Sequence, residues 1–329
     1  HAANKFRAQC PAAIDRLLVM PIPVDSPHGW WQVGCRRRVG LKAWRRDTEK
    51  YCEAQTSHGI HPYFGTPLST SEYVRASFAP RIERTIAGLA DDLSQKTLRA
   101  LVDCDFAFLI EQFSGRSLST IEYFEGLNFQ PTSRVLSVGV HNGWDVPFLL
   151  TSPHQSITLC DPMGDKYISN YVEAFISGWR EHDERGVQGL PFALDSYTGE
   201  ALLPLAEDGQ VIGGAGGQVM KHPLRSFPCV ALDDLAERPE MKEGFNVIKM
   251  DTEGAEPNIL WGGMHSLRRW RPQLAISIYH HISHYFDIPM WVMQHLPNYR
   301  LYVRCYSFDG VETTLYAIPE ECELAEGLR

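Results

Sequence analysis

The chain holds 329 residues, 44% hydrophobic and 22% charged, the make-up of a globular protein large enough for one sizeable domain and an appendage. No apolar run approaches the ~20 residues that cross a bilayer, so no membrane-spanning helix is expected. Residues 1–50 carry ten Lys or Arg against four Asp or Glu, a net of +6, which against an overall −9 leaves −15 on the rest. A body this acidic argues against nucleic acid as a partner.

Residues 1–80 read as a basic N-terminal extension to which no fold is assigned, because MPIPVDSPHGWW and HGIHPYFGTPLSTSEY are rich in Pro, Gly and His without a period. Within it, CRRRVGLKAWRRD reads first as a solvated helix face with Trp44 turned inward and second as a grip on a phosphate-bearing partner. Residues 81–119 form a helical segment: Ile82, Ile86, Leu89, Leu93, Leu98, Leu101 and Val102 recur at helical spacing, giving one long or two shorter helices that pack on the domain C-terminal to them. The eight cysteines contain no CxxC pair, which fits reduced thiols in a cytoplasmic protein.

From residue 120 to 329 strands and helices alternate. RVLSVGV (134–140) and QSITLCD (155–161) are strand-like, and DKYISNYVEAFISGWREHDE (165–184) is an amphipathic helix. LPFALD and a Gly-rich stretch come next, then FNVIKMD, a helix from Gly254, and PQLAISIYH (272–280). This pattern predicts an α/β fold with a mostly parallel, doubly wound, Rossmann-like sheet. YRLYVRCYS, a turn at Phe308-Asp309-Gly310 and VETTLYAI predict a closing antiparallel hairpin. IGGAGG (212–217) lacks the Lys-Ser/Thr of a phosphate loop and reads as a connection between hairpin strands.

Ligands of such sheets bind beyond the carboxyl ends of the strands. After the first strand, Gly139 and Gly143 let the backbone turn close to a ligand. Asp161 ends the second strand about twenty residues on, where a carboxylate accepts hydrogen bonds from ribose hydroxyls. Together they point to an adenosine-containing cofactor, NAD or S-adenosylmethionine. The missing third glycine and the terminal hairpin favour the second, which has no pyrophosphate to cradle.

VLSVGVHNGWD, ITLCDP, FALDSYTGEALL, VALDDL, FNVIKMDTEGAEPNIL, PQLAISIYH, DIP and YRLYVRCYSFDGVETTLYAIP occur in an order that resembles the FkbM-type methyltransferase family over about residues 85–319. The resemblance implies S-adenosylmethionine as cofactor and methyl transfer to a hydroxyl, with a small molecule or glycan as acceptor. It implies cofactor contacts at Gly139, His141, Asn142, Gly143, Asp161 and Asp251, with Asp195 or Ser196 near the adenine. Asp251, Glu253 and Glu256 crowd the strand-to-helix junction. Asp251 is the foremost candidate there, whereas Glu253 and Glu256 are also explained by first-turn carboxylates meeting a helix dipole. His280, from the Tyr-His after the fifth strand, is the expected general base. Ser137 departs from the family, which commonly has an acidic residue at that point, and so does the pair His141-Asn142. Asp251 with two histidines would also suit a divalent ion, although no close ligand spacing marks a metal site. Two other readings stand beside this one: a non-catalytic binding module with a weakened cofactor site, and a nucleic-acid 2′-hydroxyl methyltransferase using the basic N-terminal run.

Overall fold

The structure is a computed structural model that describes residues 69–103, 105, 108–109, 112, 122–140, 146–164, 187–205, 223–306 and 312–329. The readings of residues 1–68, the 165–184 helix, the 212–217 stretch and the turn at 308–310 lie outside these residues.

Four short apolar segments build the middle of the main sheet: β1 (Arg134–Val138), β2 (Ser156–Cys160), β7 (Val247–Met250) and β8 (Gln273–Ser277). All four run parallel in the order β2-β1-β7-β8. They are apolar on both faces because both faces are covered. The register shows how. Leu136, Ile248 and Leu274 align in one row and pack into one core; Val135, Val247 and Ala275 face the other. β3 (Val187–Leu190) extends the sheet beyond β2. On the far side β10 (Thr313–Pro319) pairs antiparallel with both β8 and β9 (Tyr299–Cys305), so β10 is the strand that runs against the others.

Two helices precede the sheet, α1 (Ser69–Ala87) and α2 (Asp92–Asp103). Helix therefore begins at Ser69, which corrects the placing of residues 69–80 in an extension of unassigned fold; Pro80 within α1 masks it in the sequence. The α2 N-terminus covers the exposed edge of β9: Ala90 N–H donates to Leu301 O (2.8 Å), and Ser94 Oγ accepts from Val303 N–H (2.9 Å). Strand groups that would otherwise template aggregation are thus paired.

A second, three-stranded sheet is foreshadowed in the sequence reading only by the hairpin strands expected around the Gly-rich stretch. It is ordered β4 (Ala193–Asp195), β6 (Leu224–Ala231), β5 (Gly199–Pro204). β5 and β6 pair antiparallel as far as Pro204 and Leu224, so the Gly-rich stretch does join hairpin strands. The remaining helices are α3 (Val146–Thr151), α4 (Leu232–Ala236), α5 (Glu256–Gly262), α6 (Met264–Trp270) and α7 (His284–His295). No helix among the described residues is long and apolar enough to cross a membrane.

Candidate active site

One step on from the row of Met250, Ile276 and Leu315 the character changes: Asp251 stands just past the end of β7, beside the β8–β10 pair Ser277 and Thr314. The strand alternation turns these side chains to the face that holds Tyr123. Ser277 Oγ donates to Asp251 Oδ1 at 3.1 Å, Tyr279 OH reaches the same oxygen at 3.4 Å, and Tyr123 OH lies 2.9 Å from Ser277 Oγ. Thr314 Oγ1 donates to Glu122 Oε1 at 3.3 Å. Burial, then the charge of Glu312, hold Glu122 well above the usual carboxylate range.

Backbone strain collects at the same place. Tyr123, Glu253 and Glu312 have φ of 66°, 56° and 63°, the left-handed region that non-glycine residues seldom adopt. Such residues persist where surrounding structure over-determines them, and they cluster at functional sites.

His280 arrives from the far end of β8 and is enclosed by carboxylates. Its Nε2 lies 3.3 Å from Asp251 Oδ1 and 3.7 Å from Glu253 Oε2, and its Nδ1 lies 3.0 Å from Glu256 Oε1. Neither ring nitrogen has an aligned hydrogen-bond partner among the described residues, although the Nδ1 approach to Glu256 is short enough to help raise the imidazole pKa. Burial alone would lower the imidazole pKa, but the charges of Glu256, Asp251 and Glu253 outweigh it and raise the value to about 10. Burial acts in the same sense on Glu256 as on any carboxylate, upward, yet the charges of His280 and His284 with the Thr252 N–H bond (2.7 Å) bring it down to about 2. In His284, burial wins and the value falls to about 4. Exposure grades the cluster: the His280 side chain is 2% exposed, Asp251 23% and Glu253 58%, so Glu253 and Asp251 face an incoming ligand while His280 lies behind them.

The side expected from the sequence to hold a cofactor is built by β1 and β2. Gly139, φ 77°, brings the backbone against Asp251, and a side-chain carbon there would overlap the Asp251 carbonyl oxygen. Asp161 Oδ2 accepts from Val140 N–H (3.0 Å) and Oδ1 from Met163 N–H (2.8 Å), so the carboxylate also shapes the loop it is expected to serve. Beneath, Lys249 extends from β7 to donate to Gly139 O (2.7 Å) over the Tyr123 ring. Ser137, beside Lys249 in register, is buried and its hydroxyl finds no partner among the described residues.

Of the residues read from the sequence, the structure gathers Asp251, Glu253 and His280, and joins Gly139 to Asp161 through Val140. His141, Asn142 and Gly143 lie outside the described residues. Asp195 and Ser196 sit at the end of β4 against Gly262 of α5, and Asp195 Oδ1 accepts from Ser196 N–H (2.6 Å). Glu256 does more than its position in the sequence suggests: the helix-start reading holds, since it accepts the Thr252 N–H, but its chief neighbour is His280. Tyr123 and Glu122 come from an irregular turn and carry no sequence signal.

Comparison with known proteins bears directly on the family. Residues 205–315 match the methyltransferase FkbM domain. This bears out the FkbM resemblance, and the match spans Asp251, Glu253, Glu256 and His280 while leaving Gly139 and Asp161 outside. The crystal structure of methyltransferase FkbM from Methylobacillus flagellatus KT is similar in fold, with a TM-score of 0.57 and 19% identity over 74% of this chain. This chain spans 59% of that chain's length. No curated protein matches. The comparisons thus show a mostly parallel α/β fold similar to that of an FkbM methyltransferase, with the family's domain matched over residues 205–315.

Proposed function

We propose that the protein is an S-adenosylmethionine-dependent O-methyltransferase of the cytoplasm acting on a hydroxyl of a small molecule or glycan. The observation that carries the reading is the juxtaposition of a positive-φ Gly139 loop, tied down by Asp161, with the Asp251 carboxylate one backbone contact away. The cradle suits the cofactor: the left-handed Gly139 lets the loop turn tightly against Asp251, and carboxylates stand beside the place of a cation.

When bound, S-adenosylmethionine supplies a methyl group on positively charged sulfur, whose bonding electrons remain with the sulfur as the acceptor oxygen forms its new C–O bond. Gly139, Val140 and Asp161, with Gly143 and its neighbours, hold the adenosine. Asp251 and Glu253 complement the positive charge and orient the acceptor. Positioning supplies much of the rate. The Asp251–His280 pair takes the hydroxyl proton. In the free protein three carboxylates keep His280 charged, so it becomes a proton acceptor only when another cation offsets them.

Calorimetry with S-adenosylhomocysteine tests the cofactor assignment, and labelled cofactor with a panel of sugars and alcohols tests the acceptor. Binding of NAD with none of S-adenosylhomocysteine overturns the reading.

A further inference from the structure

Buried polar atoms without partners are rare and call for an explanation such as an ion. At one spot this protein has four of them: Glu256 Oε2, His280 Nδ1, His280 Nε2 and His284 Nδ1, unpaired among the described residues. The Glu256 and His280 side chains are 0% and 2% exposed. His284 Nδ1 stands 3.8 Å from Glu256 Oε2, too far for a hydrogen bond. The donors' spacing points the same way independently: one ligand atom each from Asp251, Glu256 and His280 lies within 4.8 Å of the others.

We propose that Asp251, Glu256 and His280 form a divalent transition-metal site. Imidazole with two carboxylates suits Mn²⁺, Co²⁺ or Zn²⁺ better than an all-oxygen ion such as Ca²⁺. The 3.0 Å approach to Glu256 is made by Nδ1 and the 3.3 Å approach to Asp251 by Nε2, so an ion bound at about 2.0–2.2 Å takes one ring nitrogen, and side-chain rotation draws the three donors, now within 4.8 Å of one another, around it. Closure is one-sided. Glu256 and His280 shut the inner face, while Asp251 and the exposed Glu253 leave the outer face open, as sites that exchange a ligand require. The acceptor hydroxyl is the group that fits there. Coordination would acidify it; with the ion bound, His280 is a ligand in place of the proton acceptor described above, and the hydroxyl proton leaves to water. This role rests on the methyltransferase reading; ion binding itself does not.

The test uses the whole chain, stripped of ions by chelator and dialysis. Mn²⁺ is titrated with free ion counted by paramagnetic resonance, and Co²⁺ with its visible absorption recorded. The expected result is saturable binding of one ion per chain, weakened in His280→Gln and in Glu256→Gln by at least the ~10- to 100-fold that loss of even an outer-shell partner costs. His295→Gln, on the last turn of α7, should bind as wild type. Absence of saturable binding to the wild type overturns the site whether or not the variants fold, and so does binding that neither substitution weakens. S-adenosylhomocysteine binding on the same ion-free protein separates the two claims. If it persists without ion binding, the metal site alone falls; if both are absent, the methyltransferase reading falls with it.

Discussion

At the outer edge of the sheet Arg304 is 3% exposed, and at the sheet's centre His280 is 2% exposed. Both bring charge into the interior and both join distant parts of the chain, but their surroundings differ. Arg304 Nη1 donates to Ser94 Oγ, Val303 O and Asp91 Oδ1 (2.8, 3.1 and 3.3 Å), and Nη2 donates to Asp91 Oδ2 (2.7 Å), leaving only its Nε unpaired. One cation meets one carboxylate. His280 meets three carboxylates and makes no aligned hydrogen bond with any. The first arrangement fixes where a helix docks. The second gathers more negative charge than its histidine balances, an arrangement that stability alone does not favour.

Substitution separates these roles. The largest effect expected is on His280→Ala, which should lower turnover by about 10²- to 10⁴-fold, the usual worth of positioned proton transfer, with cofactor affinity nearly unchanged. Asp161→Ala should do the reverse, weakening S-adenosylhomocysteine through loss of charge-assisted bonds worth ~1.5–3 kcal/mol each. Calorimetry and steady-state rates on both variants check the contrast, and a loss of turnover without loss of affinity in Asp161→Ala would break it.

Next in size, Arg304→Met should destabilise the fold by about 3 kcal/mol, the low end of what removing one partner of a buried pair costs, while turnover per folded molecule stays at wild type. Denaturant melts measure it. Adding Asp91→Leu should recover part of that loss, since replacing both partners leaves no unpaired charge; a double variant less stable than the single one would show that Asp91 acts chiefly by capping α2 through its bond from Ser94 N–H (2.8 Å).

The smallest effect expected is on pH. Burial tends to raise the Asp91 pKa, but hydrogen bonds from Arg304 and Ser94 prevail and set it below the ordinary aspartate value. A depressed folded-state value means that the contribution is whole above the ordinary carboxylate range and fades as pH falls through the lowered value. The stability gap between wild type and Arg304→Met should therefore be constant from about pH 7 to 5 and narrow below about 4. A gap that widens in acid would contradict the pairing.

Much of the fold can be read from the sequence because buried parallel strands announce themselves as apolar runs, as RVLSV, SITLC and VIKM do. Asp251 and His280 are legible for a related reason: each comes after such a run at the edge where ligands bind. Arg304 is not. In YRLYVRC it alternates like any solvent-facing residue of an edge strand, and only the arrival of α2 over β9 buries it. Glu256 is half legible, its place in the first turn of a helix being plain and its burial depending on a histidine contributed by a different strand. Tyr123 and Glu122 belong to a turn with no period, so nothing local marks them.

The contact between Gly139 and the Asp251 carbonyl constrains how such a protein can evolve. Asp251 N–H also donates to Val138 O at 3.0 Å, so the cofactor loop and the acid site share one stretch of backbone. Neither can drift without disturbing the other. Substitution at a rim position such as Glu253, whose side chain is 58% exposed, meets no such constraint, whereas a change in the 138–139 segment is felt at 251.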